Sequence, residues 1–240
     1  MCSSTAGPDE RWSRTEAVLD PARSVGATDE ARSLRLIADD MLTLLYSRAP
    51  GLIAATSRAD WLRARTHLTA GLGLLRYHGQ CARRVDETIR LTGLTATRDA
   101  LMAQNLLDIR GIEADRGRTL VFSHNLHLRP NLSAMAMGAT DVEWYGAGAI
   151  VASLGTRYAF VAGSLGRSEA IGLGEPDPAT YEGGLQRRVA TWGCVPADTL
   201  APAATRTDTT PRQGYFPLDR ETVAAADAVL HVNAGTVIRA

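Results

Sequence analysis

Lysine is missing from this chain altogether: every one of the 26 basic side chains is an arginine, and 26 acidic side chains balance them. With zero formal charge and a near-neutral isoelectric point, nothing suggests a nucleic-acid surface or a strongly acidic partner. The all-arginine bias itself carries no mechanistic implication. Cysteine is scarce. Cys2, Cys81 and Cys194 are odd in number and far apart, without C-x-x-C spacing. Neither a disulfide framework nor a cysteine zinc site is indicated, and a reducing cytoplasm fits best. Long apolar runs are also lacking. No window approaches about 18 consecutive apolar residues, and the opening MCSSTAGPDERW has no apolar core for a signal peptide. A membrane partner is not expected, and Cys2 beside Ser3 and Ser4 is not read as a lipid anchor.

What is present is a chain of 240 residues, 45% of them hydrophobic, enough for one large α/β domain or a domain with a helical attachment. Residues 1–27 are rich in Ser, Pro, Gly and charge without steady periodicity and read as a mobile leader. From Thr28 the pattern becomes helical. Thr28 can cap, Asp29 and Glu30 suit a helix N-terminus, and Leu34, Ile37, Ala38, Met41, Leu42 and Leu45 recur at helical spacing up to Pro50-Gly51. Ser57 followed by Asp60 resembles a capping box that opens a second helix with the stripe Trp61, Leu68, Leu72 and Leu75. A third helix is expected from about Thr95 to Arg116, ended by Gly117. On it Arg98, Met102, Asn105, Ile109 and Ile112 share a stripe. An inward Arg98 would need a carboxylate partner. It reads either as a structural clamp or, with Asn105, as part of a polar face lining a site.

Thr119–Ser123, TLVFS, reads as a buried strand that delivers His124 and His127 at its carboxyl end. In open α/β sheets the loops leaving that end form the ligand crevice. Beyond it, 147–154 reads as a short helix and 158–162 as a second strand, a βαβ pattern that predicts parallel pairing. Residues 163–178 read as a Gly/Pro-rich loop, 180–191 as a helix, the stretch to Pro217 as irregular, and 228–232, with His231 inside, as a third strand. The expected organisation is therefore a leader (1–27), a helical subdomain (28–117) and an α/β portion (118–240). Its fold class is α/β, a partial parallel or mixed sheet flanked by helices. Three strands are few for a doubly wound sheet of this length.

His124-x-x-His127 alone leaves several readings open. Two imidazoles three apart can ligate a metal, but zinc sites need further ligands, and no H-E-x-x-H or cysteine cluster accompanies them. No G-x-S-x-G elbow supports a serine nucleophile. The pair can also bond loop backbone after a strand, or carry out acid–base chemistry at the strand end. No cofactor and no metal is expected.

The segment RDALMAQNLLDIRGIEADRGRTLVFSHNLHLRP resembles the erythromycin esterase family. That family's signature is R-D-x-x-M-A-x-N on a helix, followed after a short gap by a strand ending in H-N-x-H. Arg98, Asp99, Met102, Ala103 and Asn105 match the first part; His124, Asn125 and His127 match the second. The likeness continues through Met137-Gly138, Gly155, Tyr158, Tyr181-Glu182 and Asp227. It departs at Phe122-Ser123, where the family commonly carries Trp-Ala. The resemblance implies metal-independent hydrolysis of a carboxylic ester, such as a macrolide lactone, by histidine-activated water. His124 and His127 would be catalytic, polarising the carbonyl or protonating the leaving alkoxide, while Arg98, Asn105 and Asn125 would bind substrate. The family's water-activating histidine lies ahead of this motif, and no counterpart precedes Thr28. The chain is therefore expected to be a truncated member, inactive alone on lactones, or a non-catalytic remnant. An exposed edge at the Thr119 strand would invite self-association.

Overall fold

A computed structural model describes residues 7–13 and 15–235. The chain forms two compact units, Met1–Ile112 with Met135–Trp144, and Glu113–Ala134 with Tyr145–Ala240.

The first unit is helical. After α1 (Glu16–Leu19) come α2 (Asp29–Ser47), α3 (Ala49–Ala55), α4 (Arg58–Cys81) and α5 (Glu87–Ile112). The expected caps are in place. The Thr28 side chain accepts from Ala31 N at 3.2 Å, and Ser57 accepts from Asp60 N at 3.1 Å while donating to the Asp60 carboxylate at 2.6 Å. The segment read as a leader is partly folded onto this unit. Arg90, buried on α5, donates to the carbonyls of Val18 and Leu19, and Ser24 donates to His78 O at 3.1 Å. α5 begins earlier than periodicity suggested, because the Asp86 side chain accepts from Ile89 N at 3.2 Å and holds the first turn.

The inward face of α5 is also rotated from the expected one. Arg98 and Asn105 are exposed, whereas Leu91, Leu94, Asp99 and Ala103 are buried. Asp99 is fully enclosed and accepts from the Trp144 indole at 2.8 Å. A buried carboxylate with a matched donor replaces the expected buried arginine. Trp144→Phe should therefore cost about 2 kcal/mol by removing that donor, whereas Arg98→Ala should stay within about 0.5 kcal/mol. Equal unfolding curves for the two variants would contradict this assignment.

β1 (Leu132–Met137) and β2 (Thr140–Tyr145) pair across a tight connection at Gly138, whose φ of +66° suits glycine. In the second unit, α6 (Asn125–Leu128) and α7 (Ala147–Ser153) precede β3 (Val161–Ser168). α8 (Tyr181–Arg188), β4 (Trp192–Pro196), α9 (Arg220–Ala225) and β5 (Ala228–Gly235) follow. The sheet order is β3-β5-β4, with β3 parallel and β4 antiparallel to β5. This is the mixed sheet expected: β5 is the strand read at 228–232, β3 begins within the strand read at 158–162 and runs further, and β4 falls in a stretch read as irregular.

Thr119–Ser123 is not one of them. It adopts no regular structure, and Leu120 and Phe122 are 94% and 98% exposed. β-branched composition makes a strand only where a neighbouring strand supplies hydrogen bonds, and among the described residues none pairs with it. The parallel pairing expected from this segment belongs instead to β3 and β5, so there is no strand edge at Thr119. β3 runs on through residues read as loop, because its glycines serve close approach. A Cβ at Gly166 would lie 1.9 Å from Gln186 Oε1 and 2.4 Å from Asn233 O.

One face of the sheet carries the core: Phe160, Ala162, Tyr181, Leu185, Val189, Val195, Leu218, Val223 and Val229. The opposite face, with Val161, Leu230, Trp192 and Cys194, is exposed.

Candidate active site

His124 is the N-cap of α6, in extended conformation at φ −66° and ψ 145°. Its Nδ1 accepts from Leu126 N at 3.2 Å. A ring nitrogen that accepts carries no proton, so the neutral imidazole holds its hydrogen on Nε2 and acts there as a donor. His127 lies on the same turn, its ring centroid 6.4 Å from that of His124. The Phe216 ring packs edge-to-face with His124, centroids 4.6 Å apart. Both histidines are half-buried.

The turn that carries them is pinned at successive residues. The Asn125 amide donates to Gly163 O and accepts from Gly163 N, both at 2.8 Å. It pairs with the β3 backbone much as a peptide unit of a neighbouring strand would. Leu126 O accepts from Ser133 Oγ at 2.6 Å, and Leu128 O accepts from Tyr158 OH at 2.9 Å. Burial, then the nearby Asp227 charge, push the Tyr158 phenol up to about 12, so it remains a donor. Arg129, also buried, donates to Ser133 Oγ and Thr222 Oγ1 at 3.1 Å each and to Leu132 O, with Asp219 at 3.6 Å. α7 approaches so closely that Cβ atoms at Gly146 and Gly148 would lie 2.6 Å from Leu126 O and 2.0 Å from Leu128 O.

A second polar constellation lies beneath the sheet. Gln186 Nε2 donates to Glu175 and Asn233, which leaves its Oε1 as the acceptor 3.0 Å from His231 Nε2. His231 Nδ1 therefore accepts from Ser164 Oγ at 2.9 Å. The arrangement resembles a nucleophile–base pair, but Ser164 and His231 are both buried. Burial alone lowers the His231 imidazole to about 4. Nearby, the buried Glu182 accepts from Tyr215 OH at 2.9 Å and Leu218 N at 2.7 Å through Oε1. Its Oε2 has no partner among the described residues, and burial raises its pKa. These groups build the floor beneath β3.

A family model described as erythromycin esterase matches residues 4–239. The chain belongs to the erythromycin esterase family. Among curated proteins and among solved structures, nothing matches it. In this family member His124, Asn125 and His127 of the expected site lie together on one pinned turn. Arg98 and Asn105 stand on α5, which is part of the other unit, with their side chains exposed. Among the described residues no three His, Cys, Asp or Glu side chains gather where a single cation could touch them, and no helix is long and apolar enough to cross a membrane.

Sequence reasoning missed Arg129, Ser133, Gly148 and Phe216. Arg129 had a signal in its place directly after H-N-L-H-L. Ser133, Gly148 and Phe216 had none, since only packing shows what they meet.

Proposed function

We propose that the chain acts on carboxylic esters, macrolide lactones foremost, with His124 donating from Nε2 to the carbonyl oxygen as it becomes an oxyanion. His127 returns a proton to the leaving alkoxide, and Asn125 acts as a positioning residue that fixes both imidazoles to the β3 backbone. The observation that carries this reading is the bond from Leu126 N to His124 Nδ1, which makes the Nε2 position a donor. A donor aimed at developing negative charge contributes roughly 10²–10³ in rate.

Water adds to the carbonyl, the carbon–oxygen bond to the alkoxide breaks, and acid and alcohol result. With one imidazole at the carbonyl oxygen and the other at the leaving group, the attacking water needs a further base. The test supplies it from solution. Mass spectrometry would follow ring-opened erythromycin with added imidazole, for the wild type, His124→Ala, His127→Ala and Asn125→Ala. The expected result is opening by the wild type only when imidazole is present, loss to background in both histidine variants, and a drop of about 10²-fold in Asn125→Ala, whose imidazoles are misplaced rather than removed. Opening that is equal in wild type and His124→Ala would overturn the proposal, as would no opening by the wild type with imidazole.

A further inference from the structure

The open face of the second unit's sheet is apolar from edge to edge. The register aligns Val161, Gly163, Leu165 and Arg167 of β3 with Ala228, Leu230, Val232 and Ala234 of β5, and those with Trp192, Cys194 and Pro196 of β4. Trp192 is 70% exposed and Val161 45%. Arg167 is the one charge on this face, with Glu175 loosely beside it at 3.8 Å. Sheets containing parallel pairs ordinarily have helices on both faces, and among the described residues of this unit the helix α8 lies on the other face.

The first unit has the converse. Along α2, at about 100° per residue, Leu36, Ile37, Met41 and Leu44 fall on one side, away from the buried Ala31 and Ala38. All four are exposed. One charge, Asp40, lies among them.

From these two surfaces we infer that a second copy of this chain covers the open sheet face with its α2, reciprocally, in a closed two-fold dimer. Helix stripe and sheet face are the two kinds of surface that layer on each other, and every copy carries one of each. The charges are complementary: Asp40 on the stripe meets Arg167 on the face. Area decides between this and sheet-on-sheet packing. Three strands of about seven residues make a face of roughly 300 Å². A single such contact, counted on both partners, removes about 650 Å², below the roughly 1,200 Å² of stable interfaces. Two reciprocal contacts reach it. The β3 edge plays no part, because it presents Gly163 to Asn125 and Leu165 N to Tyr215 OH at 3.2 Å.

Sedimentation equilibrium on the full chain tests this, with circular dichroism confirming that each variant is folded. The wild type should sediment as a dimer, and Trp192→Glu and Met41→Glu each as monomers, both positions being at the surface. Mixing those two variants leaves one intact contact, too small alone for a stable interface, so the mixed pair should associate far more weakly than the wild type. Asp40→Arg and Arg167→Asp should each weaken the dimer at least tenfold, and the double variant should recover it. A monomeric wild type overturns the inference. So does a Met41→Glu variant that stays dimeric, which would mean that something other than α2 covers the sheet.

Discussion

Gly148→Ala is expected to destabilise the second unit by about 3 kcal/mol, and Gly148→Val to prevent it from folding. A Cβ at this position would sit 2.0 Å from Leu128 O, 2.4 Å from Leu128 C and 2.7 Å from Tyr158 OH. The first two are backbone atoms, which cannot swing aside as a side-chain tip does, so the cost lies at or beyond the upper end of the usual 1–3 kcal/mol for overpacking. Relief would come only by moving α7 off α6. That movement breaks the Tyr158 bond to Leu128 O and displaces the turn that carries His124 and His127. Gly184→Ala is the matched control. It lies in α8 with nothing within 4 Å of its added Cβ, and should gain up to about 1 kcal/mol from helix propensity. Urea unfolding followed by circular dichroism reads both, and an unmoved midpoint for Gly148→Ala would mean that the α6–α7 contact is looser than described.

Acid should weaken the protein through His231. Its imidazole goes from an ordinary value of 6.5 to about 4 in the folded chain because burial disfavours the charged form. Above the unfolded value neither state binds the proton, and the effect is nil. Between 6.5 and 4 the unfolded chain takes up a proton that the folded chain refuses, so stability falls with pH across that window. About 3 kcal/mol is lost once both values have been passed. The groups facing the ring are the Ser164 hydroxyl and the Gln186 amide, neither of which titrates. Two other buried groups shape the same curve. His78 is lowered by burial and adds to the acid slope, whereas Glu182 is raised by burial and weakens the fold as pH rises through its folded value. Comparing wild type with His231→Gln isolates the single contribution. The difference between their stabilities should shrink by about 3 kcal/mol from pH 7 to pH 4. Parallel pH profiles would show that His231 is hydrated rather than buried.

The motif His124-Asn125-x-His127, the Thr28 and Ser57 caps, the helix over 147–153 and the strand at Ala228 were all legible in the sequence, because each depends on neighbours within a few residues. Local periodicity and capping chemistry determine such features before the chain folds. What depends on distant neighbours was not legible. TLVFS has the composition of a strand but no partner among the described residues, while the glycine-bearing 163–168 is a strand because β5 runs beside it. The stripe of α5 was misjudged because Arg98 and Asp99 sit one position apart, and the Trp144 indole, 45 residues away, fixes which of them turns inward. Asn125 was expected on the substrate. Tertiary structure sets its amide on Gly163, because an edge strand has backbone groups to satisfy and this side chain is shaped to satisfy both. The sequence by itself thus determined which residues are available for chemistry and where the helices capped by Thr28 and Ser57 begin. Only the tertiary structure decided which segments pair with the strand at Ala228 and which side chains hold the histidines, because hydrogen bonds and steric contacts between distant segments leave no local trace in sequence.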